Sequence, residues 1–164
     1  MVYGTFGFSD FGFTDRYTGD IYIYSDTVAL SVGGVYLFPT ASRNKYGIDA
    51  RFEVSPGSRG GKAGTVAFRY NFIPETHRLR PYVQLGFGAV STTANEPTTL
   101  YPNGAYLYQR QTLTSPAVGY AGGLDLHLNS SWDYKIFDLQ EYVGVGKNPI
   151  ASTVAFTTGA VYHF

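Results

Sequence analysis

The charged residues of this sequence recur at every second position within apolar segments. Asp49, Arg51 and Glu53 are separated by single residues, a spacing that places side chains on one face of a β-strand. Charges on a buried face must pair, because a lone buried charge is very costly. The spacing therefore predicts a buried polar network. Its candidate members are Asp49, Arg51, Glu53, Arg69, Gln84, Asp125, His127, Asp133 and Lys135.

A tight turn at Asn129–Ser131 indicates which members of this network pair. An antiparallel register around the turn places His127 opposite Asp133. The same register places Asp125 opposite Lys135. Opposite charges directly across a ladder stabilise the pair. We therefore expect a structural ion-pair network, and the alternative is a narrow polar pathway for water or small ions.

The three histidines are the candidate general bases and metal ligands. His77 falls in a short connection, His127 lies beside another, and His163 is next to the C-terminus. A general base must lie within hydrogen-bond reach of its nucleophile, and none of the three is near the longer connections. This placement disfavours a lipid-modifying enzyme, and we expect no catalytic site. His127, His163 and Asp133 could converge but lack the close spacing of metal ligands, so we expect no metal and no cofactor.

These residues must be positioned by β-strands, because apolar residues alternate strictly with small or polar ones. Over residues 46–54 one face is wholly apolar, whereas the other carries Asp49, Arg51 and Glu53. Strict alternation is typical of a half-buried strand. Eight segments are expected to form strands. They span residues 2–9, 21–38, 45–54, 63–73, 80–92, 105–129, 131–144 and 152–164.

The face opposite the bulky residues indicates what surrounds the sheet. A soluble barrel would carry Lys and Glu on its outer face. Here that face consists mostly of Gly, Ala, Ser and Thr with a few charges, which suits the inside of a narrow barrel whose bulky face meets lipid. We therefore predict an all-β fold, a transmembrane antiparallel up-and-down β-barrel of eight strands, as a single domain over residues 1–164. A soluble ligand-binding barrel is the competing fold.

Composition narrows the classes of function. Lys and Arg number 12 against 12 Asp and Glu, a balance that predicts no nucleic-acid partner. Cysteine is absent, so the chain has no disulfide framework and no thiolate metal site. No apolar run is long enough for a membrane helix. No basic region followed by an apolar stretch precedes the first segment, so we expect Met1 to replace a removed export signal.

The connections alternate in length, as an up-and-down membrane barrel requires. The short ones span residues 39–44, 74–79 and 129–131. The longer or more Gly- and Pro-rich ones span residues 9–20, 55–62, 91–104 and 146–151. Assigning the short set to the periplasm places both termini there. Aromatic residues near segment ends indicate interfacial girdles, and a slip of the alternation near Phe137 predicts a β-bulge.

The C-terminus carries the most specific motif. Residues 159–164 resemble the C-terminal β-signal of outer-membrane proteins, with Gly159, Tyr162 and the terminal Phe164 at its characteristic positions. This resemblance implies recognition by the barrel assembly machinery. The whole chain is similar to the small eight-stranded barrels of the outer membrane protein A-like superfamily, which implies a place in the outer membrane of a Gram-negative bacterium. Residues 80–84 and 124–135 also resemble porin-like barrel proteins of acidobacteria.

The long connections are the expected contact surfaces. Residues 91–104 lead into Tyr106 and Tyr108, whose phase indicates a strand that projects beyond the membrane. Residues 55–62 are interpreted as a flexible basic loop, with contact to lipopolysaccharide phosphates as the alternative. We expect a structural or surface-interaction role, with outer-membrane lipid and lipopolysaccharide as partners. The oligomeric state stays open.

Overall fold

The computed structural model describes residues 1–14, 21–39, 45–56, 60–72, 77–100, 106–146 and 151–164. The described chain forms eight β-strands and, in these ranges, no helix with the length and hydropathy to cross a bilayer. The strands are β1 (Val2–Thr14), β2 (Ile21–Leu37), β3 (Lys45–Val54), β4 (Gly61–Asn71), β5 (Leu79–Leu100), β6 (Tyr106–His127), β7 (Trp132–Gly144) and β8 (Ala151–Tyr162).

The strands form a closed antiparallel barrel. Each strand pairs with its neighbours in the sequence, and β1 also pairs with β8. That last ladder begins at Val2 opposite Tyr162 and reaches Phe13 opposite Ala151. Closure matters because an open sheet leaves a row of unpaired N–H and C=O groups at each edge. The predicted eight-stranded, up-and-down, all-β barrel is confirmed.

The barrel is polar inside and apolar outside. Phe52, Leu85 and Phe87 have 49%, 72% and 67% of their surface exposed, whereas Arg51 is 7% exposed. Residues of alternating type point to opposite faces of each strand, so the bulky residues do not converge on a shared centre. Small inward residues such as Ala67 fill the rest, because eight strands leave an interior just wide enough for side chains.

Glycines make room for large tyrosines inside the barrel. Tyr3 lies opposite Gly33 in the β1–β2 ladder, and Tyr82 lies opposite Gly123 in the β5–β6 ladder. A Cβ atom at either glycine would come within 2.4 Å of the hydroxyl oxygen of the facing tyrosine. A side chain at these two positions would therefore displace a tyrosine ring from the lumen.

β7 contains the predicted bulge. Ile136 has no partner in the β6 ladder, where Lys135 and Phe137 pair with consecutive residues. Ile136 and Phe137 both face outward. Asp138 consequently faces the lumen, whereas unbroken alternation would have placed it on the outer face.

Two strands are longer than the alternation predicts. β1 continues to Thr14 and β5 to Leu100, so the predicted loops are wrong over residues 9–14 and 91–100. A register shift between Ser9 and Phe11 interrupts the β1–β2 ladder and hides the alternation there. Residues beyond position 92 have the composition of a loop, but their backbone pairs with β6. The other strand ends lie within two residues of the predicted ones.

The ends of β5 and β6 remote from the termini form a two-stranded ribbon that extends past its neighbours. Pairing of β5 with β4 stops at Thr92, and pairing of β6 with β7 starts at Ala117. Beyond these residues β5 and β6 pair with each other as far as Leu100 and Tyr106. The projection from Thr92 to Leu100 is roughly 25 Å long at the usual rise of a strand. Residues 93–100 and 106–116 are called the β5–β6 ribbon below.

An aromatic belt lies at the end of the barrel that carries both termini, along β2–β4 and along β7–β8. Neighbouring rings in it have centroids between 4.9 and 6.3 Å apart. The ring pairs are Tyr36–Phe38, Tyr46–Tyr70, Tyr70–Phe72, Trp132–Tyr162 and Tyr162–Phe164. The belt and the ribbon therefore mark opposite ends of the barrel.

Candidate functional site

The lumen contains a polar cluster at the end with the termini, centred on Asp133. Arg80 Nη1 lies 3.1 Å from Asp133 Oδ2. His127 Nδ1 lies 2.7 Å from Oδ1, and His163 Nε2 lies 2.8 Å from Oδ2. The His127–Asp133 ladder pair is the one that the turn register predicts. Because β5, β6 and the segment after β8 each contribute a group, this carboxylate ties three parts of the barrel wall together.

A second cluster lies deeper in the lumen, around Asp125. Arg69 Nη2 is 2.6 Å from Asp125 Oδ2, and Lys135 Nζ is 3.3 Å from Asp125 Oδ1. Lys135 also donates a hydrogen bond of 2.5 Å to the Tyr82 hydroxyl. The guanidinium carbon of Arg69 stands 3.7 Å from the centre of the Tyr82 ring, a cation–π contact. The fully buried ammonium of Lys135 thus has a carboxylate and a hydroxyl as partners.

The third cluster is built on Arg51. Its Nη2 lies 2.7 Å from Asp138 Oδ2 and 3.6 Å from Asp49 Oδ2. Its Nε donates to the Tyr3 hydroxyl at 2.7 Å, and that hydroxyl donates to Asp49 Oδ1 at 2.6 Å. Gln84 Nε2 completes the shell of Asp49 with a hydrogen bond of 2.7 Å. Donors and acceptors from four strands, β1, β3, β5 and β7, therefore converge on one guanidinium–carboxylate group.

Two side chains extend the contacts of the second and third clusters along the lumen. Lys135 Nζ lies 3.8 Å from Asp138 Oδ2, between the second and third clusters. Gln140 accepts a hydrogen bond of 2.6 Å from Arg51 and donates one to Glu53. Beyond Glu53, towards the ribbon, the lumen contains an apolar cluster. The residues packed there are Phe11, Ala63, Val90, Ala117, Tyr142 and Ala151.

The buried cations of the network are paired with carboxylates. Among the described buried residues, each cation has a carboxylate within 4 Å. The cations are Arg51, Arg69, Arg80 and Lys135, and the carboxylates are Asp49, Glu53, Asp125, Asp133 and Asp138. A cavity of about 20 Å³ at the mouth near Met1 has room for a single water molecule. Within the described ranges, no three acidic or histidine side chains are arranged to hold a metal ion.

The structure places the predicted network residues on the lumen face. His127 is the partly exposed one, at the mouth, and the other eight are buried. They belong to two connected groups, one around Asp133 and the other extending from Asp125 to Glu53. Their functional role stays a prediction.

The predicted network omitted further lumen residues. They are Tyr3, Arg80, Tyr82, Asp138 and Gln140. His163 lies at the mouth with His127 and Asp133, the convergence that the sequence left open. Asp138 and Gln140 follow the bulge, which reverses their face. Tyr3 lies in the segment with the least regular pattern. Arg80 and Tyr82 share the parity of Gln84, so the alternation of β5 could have identified them.

The residues of the C-terminal motif lie on two faces of β8. Tyr162 and Phe164 face outward and belong to the aromatic belt, and Phe164 is 88% exposed. Gly159 faces the lumen beside β1, where a Cβ atom would come within 2.1 Å of the Gly4 carbonyl oxygen. The motif therefore combines an outward aromatic pair with a close contact at the seam where the barrel closes.

Comparison with known proteins shows similarity at the level of structure. No family model and no curated protein matches the chain. The N-terminal β-barrel domain of Pseudomonas aeruginosa OprF has a TM-score of 0.53 and 15% identity over 96% of this chain and 97% of that chain. Ail, the attachment invasion locus protein of Yersinia pestis, has a TM-score of 0.55 and 12% identity over 99% and 97%.

Neisserial surface protein A is similar to the same degree, with a TM-score of 0.53 and 11% identity over 99% of this chain and 97% of that chain. Identities this low establish the fold alone. Together with the closed ladder from β1 to β8, they show that this chain has the fold of the small eight-stranded outer-membrane β-barrels.

Proposed function

We propose that this protein is an integral outer-membrane β-barrel with a structural and surface-interaction role, whose lumen is filled by polar and charged side chains. The outward-facing apolar band carries the proposal. Along β5 the outer face is apolar from Leu79 to Ala89, roughly 25 Å of height for a strand tilted as in membrane barrels. A contiguous apolar surface of that height would make a water-soluble barrel aggregate.

The ends of the barrel support an orientation with both termini in the periplasm. The aromatic belt at the end with the termini suits a membrane interface. The β5–β6 ribbon then extends from the opposite end into the exterior of the cell. The outer edges of the ribbon pair with no other described strand, and such edges can bind a partner by adding a strand. The attachment function in the name of the similar protein Ail also supports a surface role.

The lumen network supports the proposal that side chains plug the interior of the barrel. Arg51 of β3 contacts Asp138 of β7, and Arg69 of β4 contacts Asp125 of β6, so ion pairs cross the interior. We therefore expect no current steps in a planar-bilayer recording. Stepwise currents that change on Arg51→Ala or Arg69→Ala replacement would establish the alternative, a narrow channel.

We infer no catalytic role and a conventional route of assembly. His127 and His163 are held by Asp133 at the end with the termini, remote from the proposed outer leaflet where a lipid-modifying enzyme would act. Gly159, Tyr162 and Phe164 are proposed to present β8 to the barrel assembly machinery. A mass shift of lipid A on co-expression would overturn the inference of no catalysis.

Introduced cysteines test the placement, because the chain has none of its own. Thr112→Cys lies on the exposed ribbon, and Arg78→Cys is its matched control at the exposed opposite end. A membrane-impermeant maleimide should label Thr112→Cys on intact cells and Arg78→Cys only after the outer membrane is permeabilised. The reverse pattern would overturn the orientation. Recovery of both variants in the soluble fraction would overturn the membrane location.

A further inference from the structure

A groove opens on the outer surface at the base of the β5–β6 ribbon, next to the start of β4. Its volume is about 440 Å³. Two exposed cations line it, Lys62 at the start of β4 and Arg110 on the ribbon. Among the described residues, neither cation has a carboxylate partner within ion-pair distance. In the described part of the groove, Lys62 and Arg110 therefore supply positive charge without a paired carboxylate, unlike the cations of the lumen.

Hydroxyl groups line the groove between the two cations. Ser91, Thr93 and Thr112 contribute to its wall, and Thr93 lies directly opposite Thr112 in the ladder. The Thr114 hydroxyl donates a 3.0 Å hydrogen bond to Ser91 Oγ, which leaves the Ser91 proton free to be donated into the groove. Cations and hydroxyl donors on one wall match the oxygens of a phosphate group.

The groove lies where the apolar outer face ends. Along β5 the outward side chains change from apolar at Phe87 to polar at Ser91. Along β4 they change from apolar at Val66 to charged at Lys62. This boundary is at the end remote from the aromatic belt. In the proposed membrane placement, on which this inference rests, it is level with the lipid headgroups. Lysine and arginine close to a membrane surface are attracted to anionic lipids.

We propose that this groove binds the phosphate group of an anionic lipid in the outer leaflet, with Lys62 and Arg110 as counter-charges and Ser91 as a hydrogen-bond donor. Long lysine side chains cover apolar surface with their stem while the ammonium stays in the polar region, and Lys62 stands where the apolar band ends on β4. The volume of the groove exceeds that of a lone phosphate, which leaves space for the group to which the phosphate is attached.

The test is native mass spectrometry of the barrel folded in detergent and titrated with diphosphorylated lipid A. The variant Lys62→Gln/Arg110→Gln should bind lipid A more weakly, by roughly fivefold for each charge removed. The matched control, Lys45→Gln/Arg78→Gln, removes the same charge at the opposite end and should bind like the wild type. The wild type should bind dephosphorylated lipid A no more tightly than the Lys62→Gln/Arg110→Gln variant does.

Several outcomes would overturn the proposal. Equal weakening in the control variant would show attraction to net charge alone. Displacement of lipid A by inorganic phosphate at the same phosphate concentration would assign the groove to soluble phosphate. The variant Lys62→Arg/Arg110→Lys keeps both charges and should retain binding, which separates lost charge from lost folding. If cysteine labelling succeeds and the Lys62→Gln/Arg110→Gln variant still binds lipid A normally, this inference fails while the proposed function stands.

Discussion

At the scale of single residues, Lys135 shows how the lumen tolerates charge. Its ammonium is completely buried between the carboxylates of Asp125 and Asp138. Lys135→Met removes the cation and leaves both carboxylates without that partner. We expect a loss of about 3–5 kcal/mol in the free energy of unfolding, measured by urea unfolding in phospholipid vesicles.

The matched control for this change is Lys45→Met. Lys45 begins β3 at the partly exposed mouth of the barrel, where water screens its charge. Its replacement should cost less than about 1 kcal/mol. Equal losses for the two variants would show that the lumen network does not depend on the buried cation.

Gly123 is the position where a single methyl group should disturb the lumen. A Cβ atom there would lie 2.4 Å from the Tyr82 hydroxyl oxygen, whereas at Gly122 the nearest neighbour would be 3.6 Å away. Gly123→Ala should therefore lower the free energy of unfolding by about 1–3 kcal/mol through overpacking. Gly122→Ala serves as the control in the same urea titration and should change it by less than about 1 kcal/mol. A larger loss at Gly122 would contradict the assignment of faces on β6.

At the scale of elements, the β7 bulge decides which residues enter the lumen. Deletion of Ile136 removes the extra residue and leaves Asp138 facing inward. We expect that variant to fold. Deletion of Leu139 instead forces either Asp138 or Gln140 onto the apolar face, at a cost above about 2 kcal/mol.

Urea unfolding of the two deletion variants in vesicles distinguishes these outcomes. Each variant lacks one outward apolar residue from the same strand, so the comparison is matched in composition and length. A deletion of Ile136 that is as harmful as the deletion of Leu139 would mean that the bulge itself is needed for closure. In that case its effect on the face of Asp138 would be secondary.

At the scale of the whole molecule, closure between β1 and β8 is the condition for stability in lipid. Each unpaired backbone group in hydrocarbon costs several kcal/mol. A chain ending at Gly146 lacks β8 and exposes the edges of β1 and β7. We expect the intact protein folded in detergent to migrate faster before boiling than after it on electrophoresis, and this truncation to show one mobility.

A shorter truncation provides the control for closure. A chain ending at Tyr162 keeps the entire β8 ladder and loses only the last two residues. It should still form the compact species before boiling. A compact species from the chain without β8 would show that the remaining strands close by themselves, and would contradict the role assigned to the terminal seam.

Local chemistry by itself determined the strands, their faces and the polar lumen. Alternation is a property of neighbouring residues, so the inward placement of Asp49, Arg51 and Glu53 follows from β3 alone. The turn at Asn129–Ser131 likewise sets the pairing of His127 with Asp133, because a short hairpin leaves little choice of register. The number of strands follows from counting such segments.

Only the tertiary structure decided which charges meet across the lumen. Arg51 and Asp138 lie on β3 and β7, which share no ladder, and their contact depends on the stagger of all eight strands at closure. Because of the bulge, the alternation of the sequence does not reveal that Asp138 faces inward. Residues 93–100 have the composition of a loop, and only their backbone pairing with β6 makes them part of the ribbon beside the outer groove. These features depend on contacts between distant parts of the chain, and no short stretch of sequence carries that information.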